Sequence, residues 1–166
     1  MAILYLAMIS EKEHREFVSE LPGLLTPYAA HVEQVGRKAA SWTAAPGNEV
    51  VYVYISIEDL RAYLASGRSR NLTALSALAH EKGTRLSPLK DSDCTIVRVT
   101  MHKGWERPTV TLWIAATPDP DEAIAAVKRH GAPDWDIEAI GPADGPVERF
   151  RLAPGDAVPY PPPKLV

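Results

Sequence analysis

Residues Ala2 to Ile9 read Ala-Ile-Leu-Tyr-Leu-Ala-Met-Ile, apolar on both of the alternating faces that a β-strand presents. A strand that can turn neither side to water must lie inside a sheet covered on two sides. This segment is therefore expected to be a central strand covered on two sides.

The next segments supply helices. Ser10, with Glu13 three residues on, predicts a capping box. His14, Phe17, Val18 and Leu21 then form one helical stripe, which Pro22-Gly23 ends. Thr26-Pro27 opens a second helix with proline at its first position, and Tyr28, Val32, Val35, Ala39 and Trp42 make its buried side. Glu49 to Ile55, after the turn Pro46-Gly47-Asn48, is β-branched and aromatic and predicts a second strand. Ser56 and Asp59 mark a third helix that buries Ile57, Leu60, Tyr63 and Leu64 and stops at Gly67. Ser69 is expected to cap a fourth, carrying Leu72, Leu75, Leu78 and Ala79 and ending at Gly83. Residues 84–93 read as a connector.

The rhythm then changes. Cys94 to His102 and Thr109 to Ala116, joined by a loop over 103–108, predict a β-hairpin. Asp119 caps the next helix, Pro120 takes its first position and Glu122 completes a box. Lys128, Arg129 and His130 favour the negative end of that helix's dipole, and Gly131 ends it. Trp135 to Ile140 and Val147 to Leu152 are expected strands, with Asp136 and Glu138 facing Arg149 and Arg151 as cross-strand charge pairs. The order β-α-α-β-α-α, then β-β-α-β-β, predicts an α/β or α+β protein. It has a mixed sheet, with four helices in its N-terminal part. The expected division is a lobe over 1–92, a lobe over 93–158 that could share its core, and a proline-rich tail over 159–166 in polyproline II form.

Composition narrows the class. No apolar run approaches the roughly 20 residues that cross a bilayer. The apolar start lacks a basic region ahead of it and reads as a strand, not a signal peptide. The single cysteine, Cys94, cannot form an internal disulfide and suits a reducing cytoplasm. A net charge of -3 argues against coating nucleic acid by overall charge.

Against that acidic balance, residues 66–90 hold five basic groups, Arg68, Arg70, Lys82, Arg85 and Lys90, and one acid, Glu81. Arg68 and Arg70 sit where a helix dipole favours acids. Two resolutions suggest themselves. The guanidiniums pair with nearby acids such as Glu58 or Asp59, or an anion binds there, held by Ser69, Asn71, the backbone amides and the arginines. The leading expectation is a non-catalytic binding or regulatory module that meets a protein partner or anionic ligand through Arg68, Ser69, Arg70, Asn71, Lys82 and Arg85.

Two alternatives use other residues. Residues 57–82 resemble a helix-turn-helix in outline, with Arg70, Asn71, Thr73 and Ser76 set to meet DNA. The hairpin could instead expose Arg98, Thr100, His102, Thr111 and Trp113 on one face, and an enzyme site would then centre on His102, Arg98 and Trp113. No metal is expected. His14, His31, His80, His102 and His130 share no HxH or HxxxH spacing, and Cys94 has no CxxC partner. No GxGxxG, GxxxxGK[ST] or GxSxG is present, so no cofactor is implied.

Overall fold

A computed structural model describes residues 2–102, 107–131, 134–143 and 147–160. The chain is mixed α+β and divides into two compact units. One contains the described residues up to Ser87 together with Arg149–Arg151, and the other runs over Pro88–Glu148 and resumes at Leu152.

The first unit is built on a three-stranded parallel sheet. Strand β1 (Ile3–Met8) pairs with β2 (Glu49–Tyr54) in parallel, Ile3 opposite Glu49 and Met8 opposite Tyr54. Helices α1 (His14–Glu20) and α2 (Tyr28–Thr43) connect them, and α3 (Ile57–Ala65) and α4 (Leu72–Arg85) follow β2. The third strand is β6 (Phe150–Arg151), which joins β2 from far along the chain, Tyr52 opposite Phe150. Alternate residues Ala7, Ile9, Val51, Val53 and Ile55 enter a core with Phe17, Leu21, Leu60, Leu75, Leu78 and Ala79. Leu6, Met8, Val50 and Tyr54 on the other face are also buried. The two-sided apolar reading of residues 2–9 thus has its counterpart in the fold.

Several local expectations need correction. Ser10 Oγ does accept from Glu13 N–H at 3.2 Å, but α1 begins only at His14, and Glu13 turns its carboxylate to the Ile57 amide at 3.3 Å. Pro27 is the residue before α2 rather than its first, and the α2 stripe is half-buried, with His31 its one buried side chain. Asn71, not Ser69, caps α4, accepting from Thr73 N–H at 3.1 Å. Asn71 is the better cap because its carbonyl reaches the N2 amide directly. Gly83 does not end α4 but lies buried within it. A Cβ there would meet Tyr5 Cδ1 at 2.4 Å and Val53 Cγ2 at 2.8 Å. The glycine exists for close approach of helix to sheet, which sequence alone does not distinguish from a stop.

The second unit holds a four-stranded antiparallel sheet in the order β5-β3-β4-β7, formed by β3 (Thr95–Met101), β4 (Thr109–Ala115), β5 (Trp135–Pro142) and β7 (Ala157–Pro159). The hairpin of β3 and β4 is as expected, while residues 103–106 of its loop lie outside the described residues. Helix α5 (Pro120–Lys128) covers one face, and Ala123, Ala126 and Val127 pack with Val97, Val99, Trp113 and Ala115. Asp119 caps α5 as expected, but the reciprocal partner is Thr117. Its hydroxyl accepts from the Asp119 amide at 3.2 Å and donates to Glu122 at 2.8 Å. The expected strand over 147–152 is a short 3-10 turn followed by β6, which belongs to the first sheet, so Arg149 and Arg151 are not partners of β5. Pro159, placed in the tail by sequence, ends β7, and residues 161–166 lie outside the described residues.

An exposed helical glycine normally gains about 0.5–1 kcal/mol on conversion to alanine. Gly83→Ala should do the reverse and cost about 1–3 kcal/mol through overpacking against Tyr5 and the fully buried Val53. Urea denaturation measures this, and a stabilised variant would mean that the sheet gives way to the added methyl.

Candidate functional site

The chemistry-bearing residues of the first unit gather around α3 and the turn that follows it. Ser56 and Asp59 form a complete capping box, each side chain bonded to the other's amide at 3.0 Å. This fixes α3 at its start. At its end the Gly67 amide donates to Leu64 O at 3.1 Å, and Gly67 takes φ +90°, which reverses the chain into residues 68–71.

The structure separates the six predicted site residues. Arg68 lies over the Tyr63 ring, its guanidinium carbon 4.9 Å from the centroid and its Nη1 3.4 Å from the hydroxyl. This contact is worth about 0.5–1 kcal/mol at an exposed position. No carboxylate partners Arg68 among the described residues. Arg70 pairs with Glu20 on α1, whose other oxygen is 3.7 Å from Arg61, and Arg61 also reaches Glu16 at 3.0 Å. Ser69 offers its carbonyl to the Asn71 amide, and Asn71 is engaged as the α4 cap. Beside this turn Leu72 is 44% exposed, resting near Gly23. Arg85 is exposed at the far end of α4, about 20 Å away at 1.5 Å per residue.

Lys82 is not on the surface with the others. It is 5% exposed, and its ammonium donates to Asp59 Oδ2 at 2.7 Å and to Tyr54 O at 2.8 Å. Burial alone would raise the Asp59 pKa. The Lys82 ammonium and the Ser56 amide outweigh it and hold the carboxyl below the usual range. The acids suspected of neutralising the arginines were Glu58 and Asp59. Asp59 instead serves Lys82, and Glu20, fifty residues from Arg70, supplies the counter-charge. That pairing joins α1 to a turn distant from it in sequence, so no spacing rule could find it. Tyr63 was legible as an apolar helix residue, though not as a platform for Arg68.

Helix α4 lies against β1 and β2 along Ala74, Leu75, Leu78, Ala79, Lys82 and Gly83, and it presents Thr73, Ser76 and Ala77 outward. Its inner side is that of a layer helix on a sheet.

In the second unit the register corrects the hairpin faces. Val97 is opposite Trp113 and Val99 opposite Thr111, whereas Arg98 is opposite Leu112 and Thr100 opposite Val110. Side chains directly opposite share a face. Trp113 therefore points to the α5 side, 7% exposed and stacked on His130 at 5.6 Å. It cannot meet Arg98 and His102, which lie on the outer face. There Arg98 pairs with Glu138, and His102 Nε2 is 2.8 Å from Asp136. Arg98, Thr100, Val110, Asp136, Ile137 and Glu138 line an open hollow of about 380 Å3. It is a wet sheet face crossed by one ion pair and one histidine–carboxylate contact. Cys94 is buried, its thiol donating to Lys90 O, and burial with Asp93 and Asp91 pushes its pKa up to about 11. Such a thiol is a poor nucleophile.

Among the described residues no cluster of three or more His, Cys, Asp or Glu could hold a metal ion, and no helix is long and apolar enough to cross a membrane. No protein-family model, curated protein or solved structure matches the chain.

The buried ammonium gives a clear expectation. Lys82→Met should cost about 2–4 kcal/mol, toward the low side of buried-pair losses because Asp59 is partly exposed. A depressed carboxylate adds stability above its ordinary pKa and loses it as pH falls through the folded value. The variant should therefore also flatten the acid limb of the stability–pH curve below about pH 4. Unfolding followed at several pH values checks both effects, and an unchanged acid limb would show that Lys82 does not set the Asp59 titration.

Proposed function

We propose that the chain is a binding module that engages an anionic group on a partner macromolecule through the turn between α3 and α4, with Arg68 as principal contact. One observation carries this reading. The Arg68 guanidinium is held in place by the Tyr63 ring yet meets no carboxylate of its own chain among the described residues. A cation already oriented by an aromatic face gives up little freedom on binding, and its N–H edges suit a carboxylate or phosphate. Arg70 stands two residues away. Its exposed pairing with Glu20 belongs to a class worth about 0–1 kcal/mol, so an incoming anion can compete for it. Leu72 adds apolar area beside the charges. Lys82 is committed to the interior and Arg85 is too distant to act with Arg68, so the 68–90 segment contributes its first turn to the contact.

Thermal denaturation with added inorganic phosphate, poly-glutamate or duplex DNA tests the reading, because a ligand of the native state raises Tm. Phosphate or poly-glutamate should stabilise the native chain by a few degrees at about ten times Kd. Arg68→Glu should abolish the shift and Arg85→Glu retain it. A folded Arg68→Glu protein with an undiminished shift would sink the proposal. A salt-sensitive shift with DNA that survives Arg68→Glu would do so too, and would point to the outer side of α4 instead.

A further inference from the structure

A second group of residues in the first unit has no part in that contact. The rings of His14, Tyr28 and His31 meet where α1 and the start of α2 lie together, with centroids 5.5 Å apart for His14 and Tyr28, 6.1 Å for His14 and His31, and 6.3 Å for Tyr28 and His31. His14 Nε2 is 2.9 Å from Leu25 O, and a carbonyl only accepts, so that nitrogen carries the proton. The Tyr28 hydroxyl donates to Ile9 O at 2.9 Å. His31 is 6% exposed, and its Nδ1 is buried with no hydrogen-bond partner among the described residues. It is also the one fully buried side chain of α2, whose remaining stripe is half-exposed.

We propose that α2 is an acid-released element: protonation of His31 unseats this helix while β1, β2 and α4 stay folded. The groups that face His31 define the device. His14 approaches from α1 and bears the same sign of charge when protonated. Tyr28 approaches from α2 itself, and burial with Glu11 pushes its pKa up to about 12, so it stays a neutral phenol. Leu25 O and Ile9 O already accept from His14 and Tyr28. On β2, Glu49 meets α2 through its carbonyl at Trp42, about 16 Å along the helix from His31. An imidazolium at this position would be desolvated and would have a buried N–H with no acceptor.

Burial first, and His14 second, lower the His31 pKa from its ordinary value to about 4. The closed state therefore binds a proton more weakly than the open one. Closure is fully favoured above about pH 6.5 and is lost as pH falls toward 4. Among helices α1–α5, α2 alone has no buried apolar side chain, so little holds it once His31 charges.

Hydrogen exchange on the full chain at pH 7.5 and pH 4.5, divided by intrinsic amide rates, tests this. The opening equilibrium of the α2 amides should rise on the order of 50-fold, with β1 and α4 changing far less. His31→Gln should remove the dependence. In the unaltered protein, NMR of the imidazoles should find His31 neutral down to pH 5 while α2 is closed, which keeps the test decisive if the variant does not fold. A His31 that titrates between pH 6 and 7 with α2 still protected would overturn the proposal. So would equal loss of protection in all elements, or unchanged acid opening in His31→Gln.

Discussion

The ammonium of Lys82 has to be satisfied away from water, and the N-terminal unit is arranged around that requirement. Its two acceptors come from different elements, the carboxylate of Asp59 on α3 and the carbonyl of Tyr54 at the end of β2. Three elements are thereby held at a common point. A buried ion pair of this kind adds little net stability compared with apolar packing, but it penalises every arrangement that leaves the charge alone. It ties the first turn of α3 to the last turn of α4, at the end of both helices away from the turn that carries Arg68 and Arg70. Gly83, one residue on, lets the same stretch of α4 approach Tyr5 and Val53 closely.

Much of the architecture was legible in the sequence because it depends on local rules. The two-sided apolar strand, the Ser56–Asp59 box, the Asp119 cap with Pro120, and the β3–β4 hairpin all follow from spacing and residue type. The misplacements share a different cause. Gly83 reads as a helix stop, yet it lies inside α4 against Tyr5, whereas Gly131 does follow the last turn of α5. Asn71 displaced Ser69 as a cap because two eligible residues stood close together. Trp113 reads as a wet-face residue by alternation alone, because alternation does not reveal how two strands are registered.

The candidate site was legible in composition and illegible in geometry. A local surplus of positive charge could be counted, but not which charge had a partner. Lys82 shows the limit most clearly: its spacing on α4 after Leu75, Leu78 and Ala79 puts it on the inner stripe, yet the charge of a lysine argues for the surface. Glu20 and Arg70 meet only because α1 lies beside the start of α4. In the second unit Arg98 with Glu138 and His102 with Asp136 follow from antiparallel pairing of β3 with β5, where Arg98 is opposite Glu138 and Thr100 opposite Asp136.

The short strand β6 ties the folding order of the N-terminal unit to the whole chain. Phe150 and Arg151 complete its parallel sheet beside β2, and Phe150 sets its ring 5.7 Å from that of Tyr52. During synthesis, β1, β2 and four helices emerge well before this third strand exists. Until residue 150 leaves the ribosome, β2 presents a bare edge of unpaired backbone with an aromatic side chain beside it. The interposed residues 88–148 act as an insertion within the first unit, and a polypeptide ending before them would lack the strand that borders β2.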